Sequence, residues 1–246
     1  MNTKQFFGLI INTLFCTLSS AETLTVMLFQ DANPPYTIVK DGQYSGIFID
    51  IFDKLSQVTP YTFIFKKYPA ARALKEFDLG RVDIEPGINE IWRQNVKVSG
   101  EYSIVYETSK EVIVFKKNNF INLESPQDLY GKTIGIVRGY SYPLFDDAFK
   151  KNLIVKSHNR SEKLLLKQLQ VERIKYIFIG YRTIKYFMQQ NPQYQDLVIG
   201  NVVSHVNVKL RIHPSKAYIL KDINKGLQEL IDQGEIEAIY KKYQLP

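Results

Sequence analysis

Residues 127–142 read QDLYGKTIGIVRGYSY and combine a short buried strand with a tight turn that opens a helix. The apolar, β-branched run at residues 133–137 predicts the strand. Gly139 supplies the turn, and Pro143 at the first helical position predicts a helix start. A helix start leaves backbone N–H groups unpaired, so this turn is a candidate anion site. An ordinary strand-to-helix connection explains the same pattern equally well.

Outward from this stretch, strand-like runs alternate with helical patterns. Residues 24–29 and 61–68 are apolar runs, and between them lies a helix with Ile47, Ile51 and Leu55 on one face. The alternation continues with a helix at 70–80, strands at 82–88 and 110–117, a helix at 161–169, a strand at 174–180, a helix at 181–190, a strand at 205–212 and two helices separated by Gly234. This order predicts an α/β protein with mainly parallel sheets flanked by helices.

The amino terminus indicates export. Residues 1–21 contain Lys4, an apolar stretch and the small-residue end Ser19-Ser20-Ala21, which is typical of a signal peptide cleaved after Ala21. The apolar part is shorter than the roughly 20 residues of a membrane span. The single cysteine, Cys16, lies inside the predicted signal peptide, so we expect a mature chain without disulfides. These features predict a soluble periplasmic protein.

The composition excludes several classes of function. The 246-residue chain carries a formal charge of +7, but its basic residues are scattered and form no stripe with interleaved aromatics. Nucleic-acid binding is therefore not expected. The three histidines lack metal-ligand spacing, so no metal or other cofactor is expected. The chain also shows no nucleophile elbow and no phosphate loop.

Four stretches resemble one known family. They are NPPYTIVKDGQYSGIFIDIFDKL (33–55), PAARALKEFDLGRVDIEPGINEIWRQNVKVSGEYS (69–103), DLYGKTIGIVRGYSY (128–142) and INKGLQELIDQGEIEAIYKKY (223–243). In this order behind a signal peptide, they resemble the bacterial periplasmic solute-binding proteins of the polar-amino-acid type, family 3. The resemblance implies a two-lobe, Venus-flytrap fold. Its first lobe is expected at residues 22–108 and 205–246, and its second at 109–204.

The resemblance also implies how a ligand carboxylate is held. Arg93 falls where the family's arginine grips it, a task that suits a planar guanidinium; a surface arginine is the alternative. Ser141 and the backbone of Tyr140 and Tyr142 are expected to meet the same carboxylate from the second lobe. Gly87 lies in a loop expected to contact the ligand through its backbone.

The sequence leaves open which residue binds the ligand's amino group. Where the family commonly has an aspartate, this chain has Gly180 followed by Tyr181. A buried ammonium without a carboxylate costs several kcal/mol, so another acid must serve or the ligand is not an ordinary α-amino acid. Glu85 is one candidate, although a structural acid at a strand edge explains it equally well, and Asp31 at the end of the first strand is another. Tyr36, which could also pack within its lobe, and Tyr181 are expected to contact the ligand through their rings.

The function implied is a non-catalytic, monomeric binding protein. It captures a small carboxylate-bearing solute, with an amino acid as the first expectation, for delivery to a membrane ABC permease. A variant of this role passes the signal to a membrane sensor instead. The other class is a dehydratase-like enzyme on the same fold, because fold does not fix function. Such an enzyme needs a poised acid or base, for which Glu85 is the candidate.

Overall fold

The computed structural model of the protein describes residues 21–30 and 33–243. The predicted signal peptide therefore lies almost wholly outside the described residues, as does Asp31. The strands are β1 (Glu22–Phe29), β2 (Ile38–Lys40), β3 (Gln43–Ser45), β4 (Tyr61–Tyr68), β5 (Ile84–Ile88), β6 (Glu101–Tyr102), β7 (Glu107–Lys116), β8 (Thr133–Val137), β9 (Val155–Asn159), β10 (Tyr176–Gly180) and β11 (Leu197–Ile212). The helices are α1 (Ile47–Val58), α2 (Ala70–Asp78), α3 (Asp146–Lys150), α4 (Glu162–Gln170), α5 (Tyr181–Gln190), α6 (Leu220–Asp232) and α7 (Glu235–Lys242). Within the described part of the chain, none of these helices has the length and apolarity that crossing a membrane requires.

The strands form two groups joined by a pair of long crossing strands. The order of the main sheet is β4-β1-β5-β11-β7-β10-β8-β9. On one side β4, β1 and β5 pair in parallel, and on the other side β10, β8 and β9 do so. Between them β7 and β11 pair antiparallel with each other and with their outer neighbours. The predicted two-lobe α/β fold is confirmed. Its main sheet is parallel except around the crossing strands, and β2 and β3 form a separate antiparallel hairpin.

Each lobe has its own apolar core. In the first lobe, β1 packs against α1 and α6 through residues such as Leu24, Leu55 and Leu227. In the second lobe, both faces of the sheet are covered, with Leu165 of α4 on one face and Phe145 on the other. The domain boundaries at residues 108 and 204 stay predictions, since both positions fall inside the paired strands β7 and β11.

The turn after β8 differs from its prediction. Pro143–Phe145 forms a short 3-10 turn, and α3 behind it has five residues with Asp146 and Asp147 in its first turn. Few peptide dipoles are aligned in so short a helix, and the two carboxylates offset their field. The helix start therefore offers no anion site of its own, and any anion contact here must come from residues 140–142.

Gly46 fixes the connection between the β2–β3 hairpin and α1. Its φ is 120°, and a Cβ at this position would lie 2.6 Å from the carbonyl oxygen of Tyr36 and 2.8 Å from that of Pro35. The same two carbonyl groups accept hydrogen bonds of 3.0 Å from the amides of Ile47 and Phe48. The absence of a side chain at Gly46 therefore lets the turn before β2 lie against the start of α1, which sets the position of Tyr36.

We predict that Gly46→Ala lowers the free energy of unfolding by about 3 kcal/mol. The backbone strain of a non-glycine residue costs on the order of 1–3 kcal/mol, and contact with fixed carbonyl groups adds about 1–3 kcal/mol. Gly131→Ala is the matched control, because Gly131 has a φ of 74° but no atom within 4 Å of the added Cβ. Urea unfolding followed by circular dichroism measures both variants. Equal losses would show that the Tyr36 turn imposes no steric constraint.

Candidate functional site

A cavity of about 90 Å³ lies between the lobes, where the carboxyl ends of β1, β5 and β10 meet the crossing strands. Since one water molecule needs about 10–15 Å³, several waters or a small solute fit. Its lining is Phe29, Asn33, Tyr36, Phe48, Pro86, Gly87, Ile88, Trp92, Arg93, Thr108, Ser109, Glu111, Tyr140, Ser141, Glu162, Gly180, Thr183, Val208 and Tyr240. Ligands of open α/β sheets bind at this edge.

The structure brings together five of the residues predicted from the sequence. Tyr36 and Gly87 line the cavity from the first lobe together with Arg93, and Tyr140 and Ser141 line it from the second. Burial raises the pKa of Tyr36 to about 12 and also raises that of Tyr140. Both hydroxyl groups therefore stay protonated at neutral pH and can donate a hydrogen bond to a bound anion.

Three other predicted residues lie outside the cavity lining. Tyr142 is buried in the core of the second lobe, with its ring 5.1 Å from that of Phe178. Tyr181 opens α5 on the outside of the molecule and is 40% exposed. Glu85 lies behind Arg93 and contacts other protein side chains. For Tyr181 and Glu85 the direction of the side chain decides the outcome, and strand or helix periodicity near a turn does not specify it. The ligand contact expected of the Tyr142 backbone stays a prediction.

Glu85 is the centre of a buried charged triad. Its Oε1 accepts from Arg93 Nη2 at 2.5 Å, and its Oε2 accepts from Arg93 Nε at 3.1 Å and from Arg211 Nη1 at 2.6 Å. Burial disfavours ionisation of Glu85, but the charges and hydrogen bonds of the two arginines outweigh it and hold its pKa below the usual range. Both carboxylate oxygens are thus occupied. This arrangement contradicts the role of ammonium ligand expected for Glu85 and its candidacy as a poised acid.

The triad leaves part of the Arg93 guanidinium free. Of its five N–H donors, Nε–H and one on Nη2 bind Glu85, and one on Nη1 binds the carbonyl oxygen of Trp92 at 3.1 Å. Among the residues that the structure describes, one donor on each terminal nitrogen has no acceptor, and this side chain is buried and lines the cavity. The Trp92 ring nitrogen, also buried at the cavity, has no hydrogen-bond partner among the described residues. These donors suit a carboxylate.

The second lobe contributes to the cavity an acidic residue that was not predicted from the sequence. Glu162, the first residue of α4, is buried at the cavity, and its Oε1 accepts from the Gly180 amide at 3.1 Å. A Cβ built on Gly180 would lie 3.6 Å from that oxygen. The Glu162 carboxylate therefore occupies the space into which a side chain at position 180 would project.

A second acid lies close to the first. Glu111 of β7 is buried at the cavity and stands opposite Gly180 in the β7–β10 register. Burial together with the charge of Glu162 raises the pKa of Glu111 to about 8, and burial raises that of Glu162 to about 7. The Oε2 atom of each carboxylate has no hydrogen-bond partner in the part of the chain that the structure describes.

Contacts across the cleft hold the two lobes together. The Asn33 amide donates to the Tyr140 hydroxyl at 3.3 Å and accepts from the Thr183 hydroxyl at 3.0 Å. Arg182 of the second lobe lies 4.6 Å from the centre of the Tyr240 ring in the first lobe. The structure is therefore that of a closed cleft, in which groups from both lobes face one cavity.

The sequence contained weak signals for the acids that were missed. Glu162 reads as an ordinary first-turn acid behind the helix cap Ser161, and the polar strand β9 before it has no apolar alternation. Recognising β9 would have placed Glu162 at the carboxyl end of a parallel strand, where ligand contacts gather. Glu111 precedes the apolar run of β7, and its side-chain direction depends on where the crossing begins.

We predict that Glu85→Gln lowers the free energy of unfolding by about 3–5 kcal/mol near neutral pH, because it leaves two buried guanidinium groups without a counter-charge. The difference should shrink as pH falls below about 4.5, where the unfolded wild-type chain begins to bind protons that its folded state resists. Urea unfolding between pH 3 and pH 7 measures it.

Glu76→Gln is the matched control for this variant. Glu76 also binds two arginines, Arg72 and Arg81, but both arginine side chains are 61% exposed. Water can solvate these arginines after the substitution, so its effect should be much smaller. Similar losses for the two variants would contradict the importance of burial in the triad.

Known proteins were compared with this chain at the level of sequence and of fold. A model of the bacterial extracellular solute-binding proteins, family 3, matches residues 25–246. A probable histidine-binding protein of Campylobacter jejuni is 24% identical over 230 residues, which are 91% of this chain and 86% of the relative.

Two solved structures illustrate the shared fold. An ancestral arginine-binding protein bound to arginine has a TM-score of 0.77 at 20% identity, covering 91% of this chain and 99% of its own. The substrate-binding protein of an ABC uptake transporter from Streptococcus pneumoniae, with bound histidine, also has a TM-score of 0.77. It is 21% identical, and the match covers 92% of this chain and 93% of that protein. The match over residues 25–246 shows that the chain belongs to the bacterial extracellular solute-binding proteins, family 3.

Proposed function

We propose that this protein captures an amino acid between its two lobes for delivery to a membrane ABC permease. The observation that carries the proposal is a closed cavity with unsatisfied guanidinium donors on one lobe and unsatisfied carboxylate oxygens on the other. An α-amino acid carries both complementary charges on neighbouring atoms. A solute with a carboxylate alone would leave the buried acids unpaired, which is costly.

The two charged groups of the ligand have separate partners in this proposal. The carboxylate binds the free donors of Arg93, with Ser141 and the Tyr140 hydroxyl approaching from the second lobe. The ammonium group binds Glu162, which takes the part that the family commonly gives to an aspartate at the position of Gly180. Because the first lobe supplies Arg93 and the second supplies Ser141, Tyr140 and Glu162, the ligand stabilises the closed state over the open one.

The relatives support an amino acid as the ligand. A histidine-binding protein and arginine- or histidine-bound structures are among the similar proteins. Family membership supports a binding protein over an enzyme, together with export to the periplasm and the permease as partner. A monomer suits a protein that opens and closes around its ligand.

A thermal-shift screen of residues 22–246 tests the proposal. The protein is unfolded and refolded to remove carried-over ligand, and the panel contains amino acids, dicarboxylates and small amines. A ligand at 100 times its dissociation constant adds about 2.7 kcal/mol to stability, so binding gives a clear rise in the melting temperature. Mass spectrometry of the recovered ligand separates binding from turnover. Stabilisation by dicarboxylates alone, or chemical conversion of the ligand, would overturn the proposal.

We predict that Glu162→Gln weakens binding of the amino acid found in that screen by about 30-fold or more. This corresponds to a loss of about 2 kcal/mol or more for a buried charged hydrogen bond. The glutamine oxygen can still accept from the Gly180 amide, so the fold should be retained. Isothermal titration calorimetry measures the affinity, with Glu124→Gln on the exposed surface of the same lobe as the control. Unchanged affinity in Glu162→Gln would remove Glu162 from the site.

A further inference from the structure

The cavity contains one acid more than a simple amino acid needs. Among the described residues that line it, the side chains able to carry charge near neutral pH are Arg93, Glu111 and Glu162. In the proposed function, Arg93 binds the ligand carboxylate and Glu162 binds the α-ammonium group. Glu111 then has no charged partner within the described residues, although it is buried; the group that approaches its carboxyl is the Tyr142 hydroxyl. An ionised carboxylate in this position is costly unless a cation or a proton accompanies it.

Among the described residues, the groups around Glu111 are hydroxyl groups and a second carboxyl, and no cation is free to pair with it. Glu162 faces it from α4, and the Tyr142 and Tyr140 hydroxyl groups face it from the turn after β8. The neighbouring strands β10 and β11 place Gly180 and Ser204 opposite it, and neither residue titrates. Arg93 belongs to the first lobe and is bound to Glu85. These surroundings therefore favour a neutral, protonated Glu111, in agreement with its pKa of about 8.

The remaining wall of the cavity suits a positive charge. Six aromatic side chains line it: Phe29, Tyr36, Phe48, Trp92, Tyr140 and Tyr240. The faces of aromatic rings attract cations, most strongly where water is excluded. A cationic group that reaches Glu111 would thus meet a carboxylate and electron-rich rings together.

We propose that Glu111 is the specificity residue for a second positive charge on the ligand, so that the protein selects amino acids with a cationic side chain and releases the Glu111 proton on binding them. This inference rests on the proposed function. A neutral amino acid leaves the proton on Glu111, whereas a cationic side chain replaces it. The carboxyl O–H bond breaks, the proton passes to solvent, and the carboxylate pairs with the incoming cation.

The proton released gives the proposal a signature independent of affinity. At pH 7, a group with a pKa of 8 is about 90% protonated, so a cationic ligand that fully ionises Glu111 releases about 0.9 proton more than its neutral counterpart. The affinity for the cationic ligand then rises by up to about tenfold per pH unit from pH 6 toward pH 8, relative to the neutral one. Ionisation of Glu162 by the α-ammonium group is common to both ligands and cancels in the comparison.

Paired calorimetric titrations test this inference. Arginine is compared with citrulline, its neutral counterpart, and lysine with norleucine, at pH 6, 7 and 8 in two buffers of different ionisation enthalpy. We expect the wild-type protein to prefer at least one cationic probe over its counterpart and to release close to one additional proton at pH 7. In Glu111→Gln, which mimics the protonated acid, the cationic probe should bind at least about tenfold more weakly at pH 8. The neutral probe should change by less than about threefold, and the additional proton should disappear.

Each alternative outcome is decisive. If both members of a pair bind equally, or Glu111→Gln keeps the preference and the proton release, the role of Glu111 is overturned while the proposed function stands. If no amino acid binds the wild-type protein, the proposed function fails and this inference fails with it. Glu124→Gln, the exposed control, should match the wild type in all titrations. If Glu111→Gln does not fold, the wild-type proton difference between paired ligands decides alone.

The ligand-free protein provides a second readout. The pKa of Glu111 is higher in the folded than in the unfolded chain, so the folded state holds this proton more tightly. Stability should therefore decline as pH rises from about 4.5 toward 8. Melting temperatures of the ligand-free Glu111→Gln protein should decline less over this range. An identical pH profile in the two proteins would show that Glu111 carries no retained proton.

Discussion

A buried carboxylate between two buried guanidinium groups is the constraint on which the cleft depends. Glu85 comes from β5, Arg93 from the loop that follows it, and Arg211 from β11, near the opposite end of the chain. Burying three charges is favourable only when their hydrogen bonds are complete. Arg211 also donates to the carbonyl groups of Val98 and Ser99 and lies 3.9 Å from the centre of the Phe77 ring. β5, β11 and the segment at residues 98–99 must therefore assemble together, and Arg93 reaches the cavity in a fixed orientation.

The two lobes differ in whether their buried charged groups are paired. In the first lobe, both oxygens of Glu85 accept from arginines, each nitrogen of Arg211 donates to Glu85 or to a backbone carbonyl, and Arg93 keeps donors at the cavity. In the second lobe, Glu111 and Glu162 are buried with unpaired oxygens, and their raised pKa values are the result. The first lobe is thus a preorganised half-site, whereas the second is electrostatically incomplete until a cation or protons neutralise it. Capture of a ligand with both charges follows from this asymmetry.

Much of the fold could be predicted from the sequence because apolar periodicity is local. The strands at residues 61–68 and 133–137 and the helix at 181–190 have the bounds found in the structure. Polar β9 shows no apolar run, and the apolar residues in the first part of β11 are interrupted by Gly200-Asn201, so neither stretch was predicted as a strand. In the site, the resemblance placed Arg93 and Ser141 at the cavity. Glu85 was correctly singled out as a charge in a strand, but its partner Arg211 lies 126 residues away and no local pattern reveals such a pairing. Glu162 was missed because an acid that starts a helix usually faces solvent.

The pairing of β7 with β11 determines what kind of motion can open the cleft. Residues 107–111 and 204–208 form an unbroken antiparallel ribbon where the chain crosses between lobes. A hydrogen-bonded ribbon resists stretching and sliding, because either movement breaks its ladder, but it bends and twists at little cost. We therefore expect the lobes to move as two rigid bodies about this ribbon, which acts as the hinge. A motion that only bends this ribbon keeps its ladder intact, so Arg93 and Glu162 stay on opposite sides of the cavity that it opens and closes.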